Sequence, residues 1–165
     1  MISMGIYRVA TKDIKAILFI INRSNSVAYR KIIPPKYFKE PILTSQELLK
    51  EFEKMTFYVY EIENAAIGVA ALKLEDGGIG QIRWVYVLPG HQRKGFGTSL
   101  IEHIENEALN RRLKKLRVLT SDSAYWAKNF YSKLGYKMIG KISKPWGTTR
   151  FTRKLSKKNE SSIIH

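Results

Sequence analysis

Between residues 92 and 97 the chain reads Gln92-Arg93-Lys94-Gly95-Phe96-Gly97. Two glycines in so short a stretch let the backbone come close to a ligand and point several free N–H groups at it. An apolar run, Ile82 to Val87, and a Pro89-Gly90 turn precede it, and Leu100, Ile101, Ile104, Ala108 and Leu109 follow at helical spacing. A strand, a basic glycine loop and a helix in that order form a cradle for an anion. The helix start adds partial positive charge, and its natural occupant is a phosphate or pyrophosphate. An ordinary turn with flexible glycines is the alternative, which G-x-G alone does not exclude. No G-x-x-x-x-G-K-[ST] run exists in the chain, and Leu100 stands where a dinucleotide fingerprint needs its third glycine.

These residues resemble the GNAT superfamily of acetyl-CoA-dependent N-acetyltransferases, whose pyrophosphate loop reads [QR]-x-x-G-x-[GA]. Val85-Tyr86-Val87-Leu88-Pro89 is similar to the end of the family's fourth strand, and Phe130-Tyr131-Ser132-Lys133-Leu134-Gly135-Tyr136 is similar to its F-Y-x-x-x-G-[FY] segment. The resemblance covers Ile6 to Leu155 and is sharpest from Ile82 to Tyr136. It implies an α/β fold of the GNAT acyl-CoA N-acyltransferase type: a mixed, mostly antiparallel sheet flanked by helices, with strands 4 and 5 splayed. It implies acetyl-CoA as co-substrate, held at its pyrophosphate by Gln92, Arg93, Lys94, Gly95, Phe96, Gly97 and Thr98. Val85, Tyr86 and Val87 would run beside the pantetheine arm, Val85 and Val87 pairing with it through the main chain. Tyr131 matches the tyrosine that donates a proton to the coenzyme sulfur, a role suited to a phenol that stays protonated at neutral pH. A tyrosine on an apolar helix face can equally be core. Lys133 is a candidate for the 3′-phosphate, and an exposed, solvated lysine is its plainer reading.

The elements that must position these groups follow from periodicity. Ile6 to Val9 reads as a strand, and Thr11 caps a helix through Asn22 with Ile14, Ile17, Leu18 and Ile21 on one face. Asn25 to Pro41 reads as irregular, because Pro34-Pro35 breaks any helix. Thr44-Ser45-Gln46-Glu47 is a capping-box signature. A hairpin around Glu63-Asn64 comes next, then Asp76-Gly77-Gly78 and the strand that carries Trp84 to Val87. Leu116 to Thr120 is a short strand. Asp122 or Ser123 caps a helix with Ala124, Ala127, Phe130, Tyr131 and Leu134 on one face and Gly135 as its stop. A last hairpin turns at Pro145-Trp146-Gly147. The expected order is β-α-α-β-β-β-α-β-α-β-β, in one domain over residues 1–155 with a polar tail at 156–165.

Composition sets the outer limits. At 165 residues, 44% hydrophobic and 26% charged, the balance is that of an ordinary globular domain. No apolar run approaches a membrane span or carries a secretory cleavage site, so a cytoplasmic location without membrane contact is expected. The absence of cysteine excludes disulfides, thiolate metal sites and a covalent acetyl-cysteine route. The net charge of +15 attracts anions. Coenzyme A, nucleic acid and an acidic partner all fit that charge, and so do merely solvated basic faces.

The proton acceptor is where this reading stops. Gln81 stands where many family members carry a strand-4 glutamate, and Leu119 where others carry one on strand 5. His91 lies at the phosphate end of the loop, His103 is expected on a helix exterior, and no spacing suggests a metal site. Tyr29, Tyr37 and Trp146 are the candidate acceptor-binding residues, walling an apolar or cation-accepting pocket, unless they only pack a long loop onto the sheet. The expected activity is acetyl transfer to a primary amine of a small metabolite, polyamine or protein N-terminus, by direct attack in a ternary complex, as monomer or homodimer. The alternative is a non-catalytic basic module that binds nucleic acid or a ribosome-like partner.

Overall fold

In the computed structural model the residues described are 3–9, 13–142 and 148–155. The expected cap at Thr11, the loop with Trp146 and the tail from Ser156 lie outside them. The elements are β1 (Met4–Arg8), α1 (Ile14–Tyr29), α2 (Ser45–Lys54), β2 (Thr56–Ile62), β3 (Ala65–Glu75), β4 (Ile79–Val87), α3 (Phe96–Asn110), β5 (Lys115–Ser121), α4 (Tyr125–Lys133), β6 (Lys137–Ile142) and β7 (Thr148–Lys154). This is the expected order.

The seven strands form one sheet in the order β1-β2-β3-β4-β5-β7-β6. Every neighbouring pair is antiparallel except β4 and β5. Glu63 and Asn64 both take positive φ, +50° and +66°, the twist that lets a two-residue turn join β2 to β3 without splaying them. The capping box forms as read: Glu47 N–H donates to Thr44 Oγ1 at 3.2 Å, and Thr44 N–H donates to the Glu47 carboxylate at 3.0 Å.

Each face of the sheet buries its own cluster. On one face α1 and α2 press Ile17, Ile20, Ile21 and Leu48 onto Phe57, Val59, Val69 and Ala71. On the other, Leu100, Ile101, Ile104 and Ala108 of α3 pack with Tyr131 of α4 against Tyr58, Leu72, Ile82, Leu116 and Val118. Burying one such aliphatic side chain stabilises by about 1.5–3 kcal/mol. The second face also holds a polar node. Glu105 is buried on α3, and its carboxylate accepts from the Tyr136 hydroxyl at 2.8 Å and from Arg153 at 2.7 Å.

Two boundaries differ from the reading of the sequence. Helix α1 runs to Tyr29 rather than stopping at Asn22. Its Asn and Ser residues are poor helix formers in isolation because their side chains compete for backbone groups. Here those side chains bond to other elements instead. Asn22 donates to Leu43 C=O at 2.9 Å and accepts from Leu43 N–H at 3.1 Å, while Ser24 and Asn25 reach β4. Helix α4 starts from Ala124 and has no side-chain cap. Asp122 does not cap because its carboxylate is taken by Thr149 Oγ1 and its carbonyl by Lys128 Nζ. The helix stops at Gly135 as expected, at φ +91°, with Tyr136 N–H returning to Tyr131 C=O at 3.0 Å.

Candidate active site

Strands β4 and β5 pair only from Ile79 to Gln81 against Lys115 to Arg117. Beyond that point β4 continues to Val87 against β3, and β5 continues to Ser121 against β7. The two strands therefore part, and the facing edges of Ile82–Val87 and Val118–Ser121 have no strand between them. Leu88 N–H bonds to Ile67 C=O at 2.9 Å, on the β3 side. Strand alternation then turns the backbone groups of Val87, and of Val85 two residues earlier, toward the gap. At that edge the Val87 carbonyl accepts from Gln92 Nε2 at 3.0 Å and from Ser24 Oγ at 3.4 Å.

A bulge in β4 sets which side chains face which way. Arg83 pairs with Ala71 and Tyr86 with Val69, so Trp84 and Val85 together oppose Ala70. Trp84 takes φ +54°, a left-handed conformation uncommon for a bulky residue. The extra residue shifts the phase of the strand. Val85 and Val87 pack on the α3 face with Ile82, while Trp84 and Tyr86 pack on the α1 face. Sequence reading missed this bulge, because the apolar run Trp84 to Val87 carries no alternation from which a phase shift could be seen.

The loop after β4 enters α3 through two residues at positive φ, Arg93 at +63° and Gly95 at +86°, with Gly95 as the helix cap. The first backbone bond on the helix side is Ser99 N–H to Gly95 C=O at 3.0 Å. Gln92 and Arg93 lie in a hydrogen-bonded turn; among the described residues, the N–H groups from Gly95 to Thr98 have no backbone acceptor, and no side chain caps the helix. Consecutive free N–H groups at a helix start, next to two basic side chains, suit the two charged phosphates of a pyrophosphate. Gln92, Arg93, Lys94 and Gly95 are exposed, as that requires. Phe96 instead packs against Tyr60, with ring centroids 4.9 Å apart. Gly97 is a packing glycine: a Cβ there would lie 3.3 Å from Phe130 Cζ and 3.9 Å from Val87 Cγ2.

Tyr131 is buried against Phe130, Tyr136 and Phe151. Its hydroxyl has no hydrogen-bond partner among the described residues. Burial, and then the nearby hydroxyls of Tyr29 and Tyr86, push it far above the ordinary phenol range, so it is a proton donor at any physiological pH. Tyr86 is raised in the same way by burial, and its hydroxyl donates to Asn25 Oδ1 at 3.1 Å. Tyr131 packs on the α3 face and Tyr86 on the α1 face, so the two phenols influence one another across the sheet. Lys133 is exposed on α4.

A cavity of about 490 Å³ opens on the α1 side of the gap. Asn25, Tyr29, Tyr37 and Phe38 wall it from α1 and the segment after it, and Arg83, Trp84 and Tyr86 from β4. The far wall is Leu119, Thr120 and Ser121 of β5 with Thr148 of β7. Two of the three expected acceptor residues, Tyr29 and Tyr37, thus share one cavity, and the third, Trp146, lies outside the described residues. Tyr131 is not on the cavity wall. Gln81 is not either; it sits at the paired root of β4, facing Lys73 and Arg117. Thr120 Oγ1 and Ser121 Oγ are buried beside the cavity without partners among the described residues. His103 is half-buried with its ring 4.7 Å from that of Tyr58, not on an exterior face, and burial lowers its pKa. Arg83 is one of several wall residues that sequence reading passed over, with Asn25, Trp84, Thr120 and Ser121 among the others. The signal for Arg83 was a charged residue inside an otherwise apolar strand.

Residues 24–136 match the model of the Acetyltransferase (GNAT) family, and the chain belongs to that family. It is 39% identical over 83 residues to an amino-acid acetyltransferase of Pseudomonas fluorescens, a match that takes in 50% of this chain and 19% of that protein. An amino-acid acetyltransferase of Yersinia pseudotuberculosis is 37% identical over 82 residues, 49% of this chain and 18% of the relative. The chain thus spans about a fifth of the length of the curated relatives it matches. Its fold is similar to that of the PaiA N-acetyltransferase of Thermoplasma acidophilum solved with coenzyme A, at TM-score 0.82, 18% identity, and 93% and 99% coverage of the two chains. The ribosomal-protein-S18-alanine N-acetyltransferase of Escherichia coli superposes at TM-score 0.77 with 17% identity, over 93% and 95% of the two chains. Among the described residues no helix is long and apolar enough to cross a membrane, and no group of three His, Cys, Asp or Glu side chains could hold a metal ion.

Proposed function

We propose that this protein transfers an acetyl group from acetyl-CoA to a primary amine by direct attack in a ternary complex. The observation that carries the reading is the set of N–H groups at the start of α3, Gly95 to Thr98, with no backbone acceptor among the described residues, beside the gap between β4 and β5. The set matches the coenzyme's pyrophosphate, and the gap matches its extended arm, which would pair with the edge groups of Val85 and Val87. Arg93 and Lys94 add charge at the phosphates, and exposed Lys133 is within the same reading a contact for the 3′-phosphate. The acceptor occupies the cavity walled by Tyr29 and Tyr37.

The amine nitrogen forms its bond to the acetyl carbon and the carbon–sulfur bond breaks. The nitrogen's proton leaves to water. The thiolate takes a proton from the Tyr131 hydroxyl, which burial keeps protonated until then, and the phenolate left behind regains a proton from water before the next turnover. Among the described residues no carboxylate lines the cavity, so in this reading the amine arrives neutral through its own ionisation. An α-amine near pKa ~8 does so far more readily than a side-chain amine near ~10. Two of the relatives carry the name amino-acid acetyltransferase, and one fold neighbour is named for a protein's alanine. Those names agree with an α-amine.

A panel of amino acids, polyamines and peptide N-termini, with free coenzyme A as readout, tests the proposal. Amine-dependent thiol release is expected. Coenzyme binding with no release on any amine would overturn it in favour of a non-catalytic basic module.

A further inference from the structure

Among the described residues the cavity wall holds two cations, Arg83 and Lys39, and no acidic residue. They are not equivalent. Lys39 is committed, with its ammonium bonded to both oxygens of Glu47 at 3.0 and 3.3 Å. Arg83 makes no hydrogen bond among the described residues. Its nearest carboxylate, Glu51, is 3.9 Å away, an ion pair too long for a hydrogen bond, and Glu51 Oε1 already accepts from Trp84 Nε1 at 3.1 Å. Glu51 therefore holds the guanidinium by charge without taking its donors.

A guanidinium carries five N–H donors in a planar fork that fits a carboxylate in two parallel bonds. The Arg83 side chain is 35% exposed and its guanidinium lies 5.7 Å from the Trp84 ring centroid, a contact that leaves its N–H donors without a hydrogen-bond acceptor among the described residues. Arg83 alternates with Ile82 onto the cavity side, and the β4 bulge brings Trp84 and Tyr86 to the same side, beside the gap. Tyr29, Tyr37 and Phe38 give the rest of the wall an apolar body. A diamine or polyamine would set its second cation among these walls with no acid to meet it.

Resting on the acetyl-transfer reading, we propose that the acceptor is a small amine bearing a carboxylate, which Arg83 binds through its guanidinium while the amine turns toward the gap. Arg83 is then the residue that selects the acceptor class.

The experiment reads binding rather than turnover, so it can fail independently of acetyl transfer. N-acetyl-leucine, N-acetyl-phenylalanine and N-acetyl-glutamate, which are product analogues, are titrated by calorimetry into protein saturated with coenzyme A. Each acid is compared with its carboxamide, in the parent, Arg83→Gln and Arg83→Lys. In the parent at least one acid should bind about tenfold to hundredfold tighter than its amide, the range expected for charge-assisted bonds. Arg83→Gln should erase that preference while leaving affinity for coenzyme A and for the amides unchanged, and Arg83→Lys should keep part of it. Equal binding of acid and amide by the parent overturns the proposal, as does a preference that survives in Arg83→Gln or a failure of every analogue to bind. Should Arg83→Gln not fold, the parent's acid–amide comparison still decides. Failure of the acetyl-transfer reading appears elsewhere, as the absence of thiol release on any amine.

Discussion

Gly95 offers the sharpest test of the loop, because its cost can be worked out in parts. It caps α3 at φ +86°, and a Cβ added there would meet no heavy atom within 4 Å. Gly95→Ala therefore introduces no clash, only an L-residue in the left-handed region, at a cost of about 1–2 kcal/mol. For a chain of this length each kcal/mol moves the melting temperature by about 2–4 °C, so a fall of about 2–8 °C is expected. Gly95→Asn, which tolerates the same conformation, should recover part of it. The loop has one other outlet: it can rotate out of the left-handed region and turn the N–H groups of Gly95 and Phe96 away from the cradle. The melting temperature would then stay near the parent's, and coenzyme A affinity would fall about tenfold or more, since each hydrogen bond to a charged group contributes about 1.5–3 kcal/mol. Thermal melts without ligand and calorimetry with coenzyme A separate the two outcomes. An Ala variant that melts and binds as the parent does would refute the reasoning. Gly97→Val provides the contrast, since its side chain runs into the Phe130 ring rather than toward a phosphate. It should cost about 1–3 kcal/mol by overpacking.

Tyr131→Phe should keep coenzyme A affinity and slow turnover by about 10²–10⁴-fold when chemistry is rate-limiting, less where water substitutes; an unchanged single-turnover rate would remove its acid role. Glu105→Ala should destabilise by about 3–5 kcal/mol in urea titration, because Arg153 and the Tyr136 hydroxyl lose their shared buried carboxylate, with coenzyme A affinity unchanged. With no carboxylate on the cavity wall among the described residues, the rate should climb with pH until the acceptor's own amine is neutral, at ~8 for an α-amine and ~10 for a side-chain amine. A plateau from about pH 7 on a high-pKa amine would reveal a base outside the residues described.

The parts of the molecule legible in the sequence are those set by local chemistry. Glycines at 95 and 135, the Thr44–Glu47 box and the Glu63-Asn64 turn each announce a backbone conformation on their own. The parts that stay hidden depend on partners distant in sequence. Helix α1 runs on through Asn22, Ser24 and Asn25 because Leu43, Val87 and Tyr86 take their side chains. Asp122 fails to cap α4 because Thr149, on a strand far along the chain, claims it. The Trp84 bulge hides in a run that is apolar on both faces, and Arg83 gains meaning only once that bulge and the β4–β5 gap give it a cavity to face. Gln81 and Leu119, which the family resemblance pairs with glutamates, differ in place: Leu119 is on the cavity wall and Gln81 is at the paired root of β4.

A crystal structure of the protein with acetyl-CoA tests the central claim most directly. The expected complex has pyrophosphate oxygens about 2.7–3.2 Å from N–H groups between Gln92 and Thr98, the thioester in the gap beside Val85 and Val87, and the Tyr131 hydroxyl turned to the sulfur. A coenzyme whose pyrophosphate lies away from this loop, or whose thioester lies outside the gap between β4 and β5, would contradict the account.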